Sequence, residues 1–258
     1  MNRVEKIVIR KYAFASPDVP PGFEGTTIAF LSDIHHSATF PVEQVRSLVD
    51  MANAQRPDLI LLGGDYVTNE TACIRSFFTE AARFTAPLGV YGVLGNHDIW
   101  TDRALTERCM REAGITLLDN YGLWLERGGS RIRLGGIGDL KTSRQDLGPM
   151  LAGTRPDDLM ILVTHHPDYA LRLPKDLIDL MLCGHTHGGQ VSFFGKWIPP
   201  WPGGAHRKYR SGVVGEGRTT VIISNGIGTV GPPVRIFAAP QIWLITLSRK
   251  GRASSSGA

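Results

Sequence analysis

Five short polar motifs, each directly following an apolar run, constrain this 258-residue chain more than any other feature. They are, in chain order, Asp33-Ile34-His35, Gly64-Asp65, Gly95-Asn96-His97-Asp98, Thr164-His165-His166-Pro167 and Gly184-His185-Thr186-His187. Seven of the eight histidines lie in or beside these motifs. Carboxylate, imidazole and amide groups without thiolates form the ligand set of a divalent ion such as Mn²⁺, Fe or Zn²⁺. The pattern therefore predicts a metal site on loops that follow strands.

The first half of the chain alternates short apolar runs with stretches of helical length. Strands are predicted at 27–31, 58–62 and 89–94, and helices at 42–54, 73–84 and 103–113. Strands separated by helices of this length imply crossover connections and a buried, largely parallel sheet. Because such sheets bind ligands at the carboxyl ends of their strands, we expect the motifs to converge on one edge.

The second half combines a hairpin with further strand–motif units. The pattern predicts a hairpin from 121–126 and 131–136, strands at 160–164 and 178–183, and hairpin-like strands at 219–224 and 242–247. The predicted fold class is α/β, a two-sheet β-sandwich flanked by helices, with the metal site on the loops at the strand C-terminal ends. We expect residues 1–250 to form a single domain and the Ser/Gly/Ala-rich tail 251–258 to be disordered.

Composition places the chain among ordinary globular proteins, with 42% hydrophobic and 20% charged residues. The net charge of +4 suits anionic partners, but no long basic run predicts a nucleic-acid arm. The three cysteines, Cys73, Cys109 and Cys183, are far apart, which is compatible with a reducing compartment. A signal peptide and a long apolar run are both missing, so we expect a cytoplasmic protein. Peripheral contact with the inner face of the membrane stays open.

The motifs point to metal binding mainly through their joint occurrence. Asp33 and His35 are two residues apart, so in extended backbone both face the same side and reach one metal. Asp65 at the next strand end would bring a second carboxylate to Asp33, and their repulsion favours a bound cation. Taken singly, the motifs have ordinary explanations: solvated loop residues, a Gly-Asp turn, or a helix N-cap formed by Asn96 or Asp98.

The ordered set of motifs resembles that of the calcineurin-like metallophosphoesterase superfamily. The longer forms Gly-His-Thr-His-Gly-Gly-Gln190 and Ser224-Asn225-Gly226-Ile227-Gly228-Thr229 resemble a bacterial branch of mostly membrane-associated phosphodiesterases. That branch includes enzymes that split UDP-diacylglucosamine in lipid A synthesis. The resemblance implies two divalent ions, with Mn²⁺ as the first choice and Fe or Zn²⁺ as alternatives.

The resemblance also implies a role for each motif residue. It makes one ion's ligands Asp33, His35 and His187, the other ion's ligands Asn96, His165 and His185, and Asp65 a bridge between both. His165 is preferred to His166 because the family's histidine directly follows the strand and a Ser or Thr. His97 would be a proton donor or a clamp on a phosphate oxygen, while a metal-bridging hydroxide attacks phosphorus.

Two positions depart from the phosphoprotein phosphatases of this superfamily. Those enzymes continue after the bridging aspartate as Gly-Asp-x-x-Asp-Arg, whereas this chain has Thr68 and Asn69 there. The aspartate that orients the catalytic histidine and the nearby phosphate-binding arginine are therefore missing. The departure argues against a phosphoprotein phosphatase and leaves the partner of His97 open, with Asp98 as a candidate.

The stretch from 180 to 215 contains no Asp or Glu but has several basic and aromatic residues. One interpretation is a Pro-rich loop whose aromatic side chains pack on the sheet. The other is a lid that binds an anionic headgroup and contacts a bilayer interface. On the second interpretation, the candidate substrate contacts are Lys196, Trp197, Trp201, Arg207, Lys208 and Arg210.

The leading hypothesis is a dinuclear metal phosphodiesterase or pyrophosphatase that acts on a small or lipid-linked substrate such as UDP-diacylglucosamine. A cyclic-nucleotide phosphodiesterase or a nuclease is the enzymatic alternative, although a nuclease would need a broader basic groove, so nucleic acid is not the expected partner. A non-catalytic metal-binding module is the alternative from another class. The oligomeric state is not predicted.

Overall fold

The computed structural model describes residues 7–174, 176–191 and 207–250, so the tail 251–258 lies outside it. Its strands form two six-stranded sheets. The first sheet contains, in spatial order, β1 (Val8–Ser16), β12 (Gln241–Arg249), β2 (Thr27–Leu31), β3 (Leu59–Leu62), β4 (Val90–Gly92) and β5 (Thr116–Leu117). The second contains β10 (Gly212–Glu216), β11 (Thr219–Ile223), β9 (Leu180–Cys183), β8 (Met160–Thr164), β7 (Ser130–Ile137) and β6 (Tyr121–Arg127).

Three longer helices pack on the outer face of the first sheet. They are α1 (Val42–Ala54), α2 (Thr71–Ala81) and α3 (Asn96–Glu112), and a short helix, α4, spans Gly148–Leu151. Successive side chains of β3 alternate between this helical layer and the space between the sheets. Both faces are buried, which explains why β3 is an uninterrupted apolar run. Among the described helices, none is long and apolar enough to cross a membrane.

The α/β two-sheet prediction is confirmed. Strands β2, β3, β4 and β5 are parallel, as are β7, β8 and β9, and β6 pairs with β7 as the predicted hairpin. The carboxyl ends of the parallel strands in each sheet therefore lie along one edge. The single-domain prediction for residues 1–250 stays a prediction.

The C-terminal third contains a hairpin, as predicted, but β10 and β11 form it, and the two predicted strands do not pair with each other. β11 lies in the second sheet, where its hairpin partner is β10, while β12 lies in the first sheet. There β12 is parallel to β1 and antiparallel to β2. Most of its side chains are buried, so it is stable only as a central strand between two neighbours. Local sequence shows the strand but not the partner.

A candidate dinuclear metal centre

Asp65, at the end of β3, lies in the middle of the converging motifs. Its Oδ2 atom is 3.5 Å from Nε2 of His35, which follows β2 in the same sheet. The same oxygen is 3.2 Å from Nε2 of His165, which follows β8 in the other sheet. Asp65 is 1% exposed. One carboxylate therefore faces imidazoles from both sheets.

The remaining motif residues surround this carboxylate. Nε2 of His187 lies 3.2 Å from Nε2 of His35 and 3.5 Å from Oδ1 of Asp33. On the other side, Nδ1 of His185 lies 3.2 Å from Nε2 of His165. Three groups have ligand atoms within 4.8 Å of one another: Asp33, His35 and His187; His35, Asp65 and His97; and Asp33, Asp65 and His165.

Two buried polar atoms indicate that this cluster fits a cation. The side-chain oxygen of Asn96 is buried and accepts no hydrogen bond from the described residues, and the buried Nε2 atom of the half-buried His185 also has no partner there. A buried carbonyl oxygen without a partner is costly, whereas a metal ion would satisfy it. Carboxylate, imidazole and amide donors suit Mn²⁺, Fe or Zn²⁺. The residues present therefore fit divalent metal.

Burial and neighbouring charges raise the pKa of one carboxylate of the cluster, lower that of another, and lower the pKa values of two imidazoles. Burial raises the pKa of Asp33 to about 6, and the charge of Asp65 adds to this. Burial also acts to raise the pKa of Asp65, but the charges of His165 and His35 outweigh it and lower that pKa. Burial lowers the pKa of His35 to about 3 and that of His187 well below its usual value. Both imidazoles are therefore neutral at neutral pH, as metal binding requires.

Five of the clustered residues have left-handed backbone. Their φ angles are 52° at Asp33, 49° at His35, 54° at Asp65, 67° at His185 and 52° at His187. Such values are uncommon outside glycine and persist where the surrounding structure enforces them, often at functional sites. The backbone at Asp33 and His35 is therefore not extended, and the expectation that an extended segment directs both side chains to one side is wrong. The loop brings both to the cluster by turning at each residue.

The motif glycines are required by close approach. A Cβ atom on Gly95 would collide with the carboxylate of Asp65, and one on Gly184 would collide with the carboxylate of Asp33. Any side chain at either position would displace a candidate ligand. This explains why the polar residues of these motifs come with glycines.

His97 is held by a main-chain oxygen. Its Nδ1 lies 2.5 Å from the carbonyl oxygen of Thr68, which can only accept, so Nδ1 carries the proton. Thr68 occupies the position at which phosphoprotein phosphatases have the orienting aspartate. The half-buried ring lies edge-on to His35, with the ring centroids 4.9 Å apart. The bond to Thr68 leaves Nε2 as the ring nitrogen that is not bound to this main-chain oxygen.

Asp98 does not orient His97, contrary to the candidate role considered from the sequence. Its carboxylate accepts hydrogen bonds from the main-chain N–H groups of Asp65 (2.8 Å), Tyr66 (2.9 Å) and Gly95 (2.9 Å). A carboxylate with three such donors braces the loops of two strand ends.

The helix predicted at 103–113 begins earlier, at Asn96, with a non-helical residue at Asp102.

Of the two adjacent histidines, His165 lies in the cluster and His166 lies behind it. His165 donates from Nδ1 to the carbonyl oxygen of Gly63 at 2.8 Å, which directs Nε2 toward Asp65. The ring of His166 packs on that of His185, with centroids 4.2 Å apart. Its Nδ1 accepts from the N–H of Asp168 at 3.3 Å.

The candidate substrate contacts are only partly described, since Lys196, Trp197 and Trp201 lie outside the described residues. Arg207 is exposed. Lys208 pairs with Glu216, which is the first acidic residue after the acid-free stretch. The carbonyl of Arg210 accepts a 2.6 Å bond from the Thr186 hydroxyl, which links this segment to the last metal motif.

Sequence reasoning missed Arg235, which is 7% exposed and lies beside His187. Its Nη1 donates to the carbonyls of Asn225 (2.8 Å), Ala238 (3.0 Å) and His187 (3.3 Å), and its Nε donates to that of Gly228 (3.0 Å). The guanidinium therefore joins the C-terminal loop to the last metal motif. The nearby Ser224–Thr229 motif hinted at this region, but no local pattern distinguishes Arg235 from a surface arginine.

Gln190, the last residue of the extended histidine motif, has a structural role in the same region. Its side-chain amide donates to the carbonyls of Val230 and Pro232, both at 2.9 Å, and its Oε1 accepts from the N–H of Val230. Gln190 is fully buried. The Gly-Gly-Gln extension therefore holds the C-terminal loop against the metal motif.

Comparison with known proteins identifies the family. The calcineurin-like phosphoesterase family model matches residues 26–189. The chain is 31% identical over 243 residues to the uncharacterized metallophosphoesterase YkuE of Bacillus subtilis, covering 92% of this chain and 84% of that protein. It is 30% identical over 226 residues to the phosphodiesterase YaeI of Escherichia coli K12, covering 85% and 81%.

A solved structure supports the fold alone. The NAD nucleotidase of Haemophilus influenzae superposes with a TM-score of 0.54 at 13% identity, covering 78% of this chain and 45% of that one. The family match extends over all five polar motifs. On this evidence the chain belongs to the calcineurin-like phosphoesterase family and is a metal-dependent phosphoester hydrolase.

Proposed function

We propose that this protein is a phosphodiesterase that uses two divalent ions, with Mn²⁺ as the first candidate. The observation that carries the proposal is the position of Asp65 between His35 of one sheet and His165 of the other. Asp65 would serve both ions. One ion's other ligands would be Asp33, His35 and His187, and the other's would be Asn96, His165 and His185.

The protein side chains would divide the chemistry between binding and proton transfer. When bound, divalent ions activate water as a nucleophile and neutralise charge on the phosphoryl oxygens. As an imidazolium, with Nδ1–H donating to the Thr68 carbonyl, His97 would protonate or stabilise the leaving oxygen through Nε2–H. General acid catalysis of this kind contributes about 10²–10⁴-fold to the rate.

Diesters or pyrophosphate linkages should be better substrates than monoesters. A monoester carries an additional negative charge, and the position of the phosphatase arginine is occupied by the neutral, exposed Asn69. The likeness to a protein named as a phosphodiesterase favours the same choice.

In its finer form, the proposal names the substrate as a lipid-linked diphosphate such as UDP-diacylglucosamine. The protein would bind this substrate at the inner face of an anionic membrane. Its support is the basic segment that Thr186 links to the site. A cyclic-nucleotide phosphodiesterase or nuclease is retained as an outcome of the test and not as a second proposal.

The test is a substrate panel on metal-stripped protein to which Mn²⁺, Zn²⁺ or Fe²⁺ is added back. The panel contains bis-p-nitrophenyl phosphate, p-nitrophenyl phosphate, 3′,5′-cyclic AMP, single-stranded DNA and UDP-diacylglucosamine. We expect the artificial diester or the diphosphate to be hydrolysed faster than the monoester, with two bound ions per chain. A preference for the monoester would contradict the diesterase assignment, and full activity with one ion would contradict the dinuclear one.

A further inference from the structure

Three aromatic rings lead from the metal cluster to the solvent. His35 is fully buried in the cluster, and the half-buried ring of His97 lies edge-on to it at a centroid distance of 4.9 Å. The indole of Trp100 follows, with its centroid 5.2 Å from that of His97 and the planes inclined by 67°. Trp100 is 64% exposed. The outermost ring is thus in contact with the residue proposed to act on the leaving oxygen.

The backbone holds Trp100 in this place. Trp100 lies three residues after His97, so both side chains are on the same face of the helix. The Thr101 hydroxyl donates to the His97 carbonyl at 2.7 Å. At Asp102 the backbone leaves helical geometry (φ −170°, ψ 92°), and the Asp102 carboxylate accepts from the N–H of Leu105 to start the remaining helix. The helical turn that carries His97 and Trp100 is therefore separate from the rest of α3 and is held in place by these hydrogen bonds.

Exposure alone would not make Trp100 informative, because single exposed apolar side chains are ordinary on protein surfaces. The other strongly exposed large apolar side chains among the described residues include Leu171 and Phe237. What distinguishes Trp100 is its contact with His97. A flat, solvent-facing indole at that point offers a stacking surface to whatever extends outward past His97.

We propose that Trp100 binds the leaving group of the substrate and that this leaving group carries an aromatic or heteroaromatic ring, such as a nucleobase. The inference rests on the proposed function, in which His97 faces the leaving oxygen. The atoms beyond that oxygen would then extend over the indole. Stacking on an aromatic side chain favours planar rings, whereas a free sugar or a short alkyl group would gain little from it.

The experiment compares two methyl diesters that differ only in their second group, methyl p-nitrophenyl phosphate and methyl butyl phosphate, both followed by ³¹P NMR. Each is assayed with the parent protein, Trp100→Ala and Trp100→Phe. Because each variant is compared with the parent on the same substrate, the intrinsic reactivity of the two esters cancels. We expect Trp100→Ala to lower kcat/KM for the aryl ester roughly tenfold, mainly through KM, and the alkyl ester much less. Trp100→Phe should recover most of the loss.

A matched control is Leu177→Ala, which also removes an exposed apolar side chain, 40% exposed. Leu177 precedes β9, so it lies at the opposite end of that strand from His185. This variant should leave both esters unaffected. Equal losses on both esters in Trp100→Ala would overturn the inference, because they would show that Trp100 only supports His97. Bis-p-nitrophenyl phosphate is assayed alongside them. A loss with this ester that methyl p-nitrophenyl phosphate does not show would assign Trp100 to the group that stays on phosphorus, and would also overturn the inference.

Failure of the inference and failure of the proposed function have different signatures. If the parent cleaves diesters and Trp100→Ala cleaves them equally well, only the Trp100 inference fails. If the parent cleaves no diester, the proposed function fails, and calorimetry on metal-loaded protein still decides about Trp100. A preference for phenylphosphonate over methylphosphonate that disappears in Trp100→Ala would support the stacking surface. An unchanged preference would overturn it.

Discussion

The loops of the two sheets that form the candidate metal centre are held in different ways. Those of the first sheet bond to one another through the main chain. Asp33 donates its N–H to the carbonyl of Gly64 at 2.9 Å, and His35 donates to that of Asp65 at 3.1 Å. Asp98 adds three bonds to N–H groups of the same loops. The loops of the first half are therefore linked mainly to one another, although the carbonyl of Asp33 also accepts from the N–H groups of Ile227 (3.1 Å) and Gly228 (2.8 Å) in the C-terminal loop.

The loops of the second sheet depend on partners elsewhere. The N–H of His185 donates to Oδ1 of Asp33 at 2.9 Å, which is a carboxylate of the first sheet. The carbonyl of His187 accepts from Arg235, which is 48 residues away, and Gln190 binds the same C-terminal loop. This half is complete only when the C-terminal segment has packed. One site therefore combines a half whose loops bond mainly to each other with a half that depends on the first sheet and on the C-terminal loop.

The largest effect is expected where the two halves meet. Asp65→Asn should lower the rate at least about 10³-fold and lower the metal content, because Asp65 faces histidines of both sheets. Steady-state kinetics and elemental analysis measure the two quantities, and circular dichroism should show an intact fold. Asp58→Asn, at the other end of β3, is the matched control and should keep its metal. Two bound ions and normal turnover in Asp65→Asn would show that Asp65 does not connect the two halves of the site.

The next effect separates chemistry from metal binding within the first half. His97→Ala should lose about 10²–10⁴-fold in rate while the metal stoichiometry stays near that of the parent. The reason is that His97 is held by the Thr68 carbonyl and extends toward the solvent-exposed Trp100. Loss of one equivalent of metal would instead place His97 among the ligands.

A smaller effect should single out the second half. Arg235→Lys keeps the charge but cannot reproduce the forked bonds to the main-chain carbonyls around His187. We expect roughly 10–100-fold weaker metal binding. Hydrogen exchange should accelerate at 185–190 but not at Asp65 and Tyr66.

Arg218→Lys is the control for that variant, because Arg218 pairs with Asp18 and Asp179 away from the metal motifs. It should leave metal affinity unchanged. Equal acceleration of exchange in the loops of both sheets would show that the first half does not brace itself, and the comparison would fail.

The smallest effect concerns pH and stability. Burial raises the pKa of Asp119 to about 7; its carboxylate accepts from the N–H of Leu94, just after β4 of the first sheet. The folded state therefore holds a proton that the unfolded state, with a pKa near 3.9, loses earlier. Stability should fall as pH rises from about 4 to about 7, and the penalty should be complete above that.

Asp119→Asn should remove this dependence and be more stable than the parent at pH 8, by roughly 1–3 kcal/mol. Urea unfolding at pH 5 and pH 8 measures the difference. Asp179→Asn, just before β9, is the contrast: burial raises the pKa of Asp179 as well, but its carboxylate also pairs with Arg218 at 3.0 Å, so this variant should gain less stability at pH 8 than Asp119→Asn does. A stability difference for Asp119→Asn that does not change with pH would contradict the raised pKa.

Local pattern was sufficient for several elements and insufficient for others. The predicted bounds of β2 (Thr27–Leu31), α1 (Val42–Ala54) and β8 (Met160–Thr164) match the structure residue for residue. Uninterrupted apolar runs specify buried parallel strands, and regular apolar spacing specifies a helix against a sheet. The first turns of α3 were missed because they bury polar Asn96 and Asp98 instead of an apolar stripe. The pairing of β12 was not predicted, because the residues of a strand do not specify which strands lie beside it.

The sequence by itself determined which candidate donors the chain has and that they follow strand ends, because residue type defines the chemistry and hydrophobic period defines the elements. Only the tertiary structure decided that the Thr68 carbonyl holds His97, that Asp98 braces two loops, and that Arg235 lies beside His187. These contacts use main-chain groups, which every residue carries, and they join segments far apart in the chain. They form because buried polar groups need hydrogen-bond partners. A local sequence pattern does not specify which partner each buried group has.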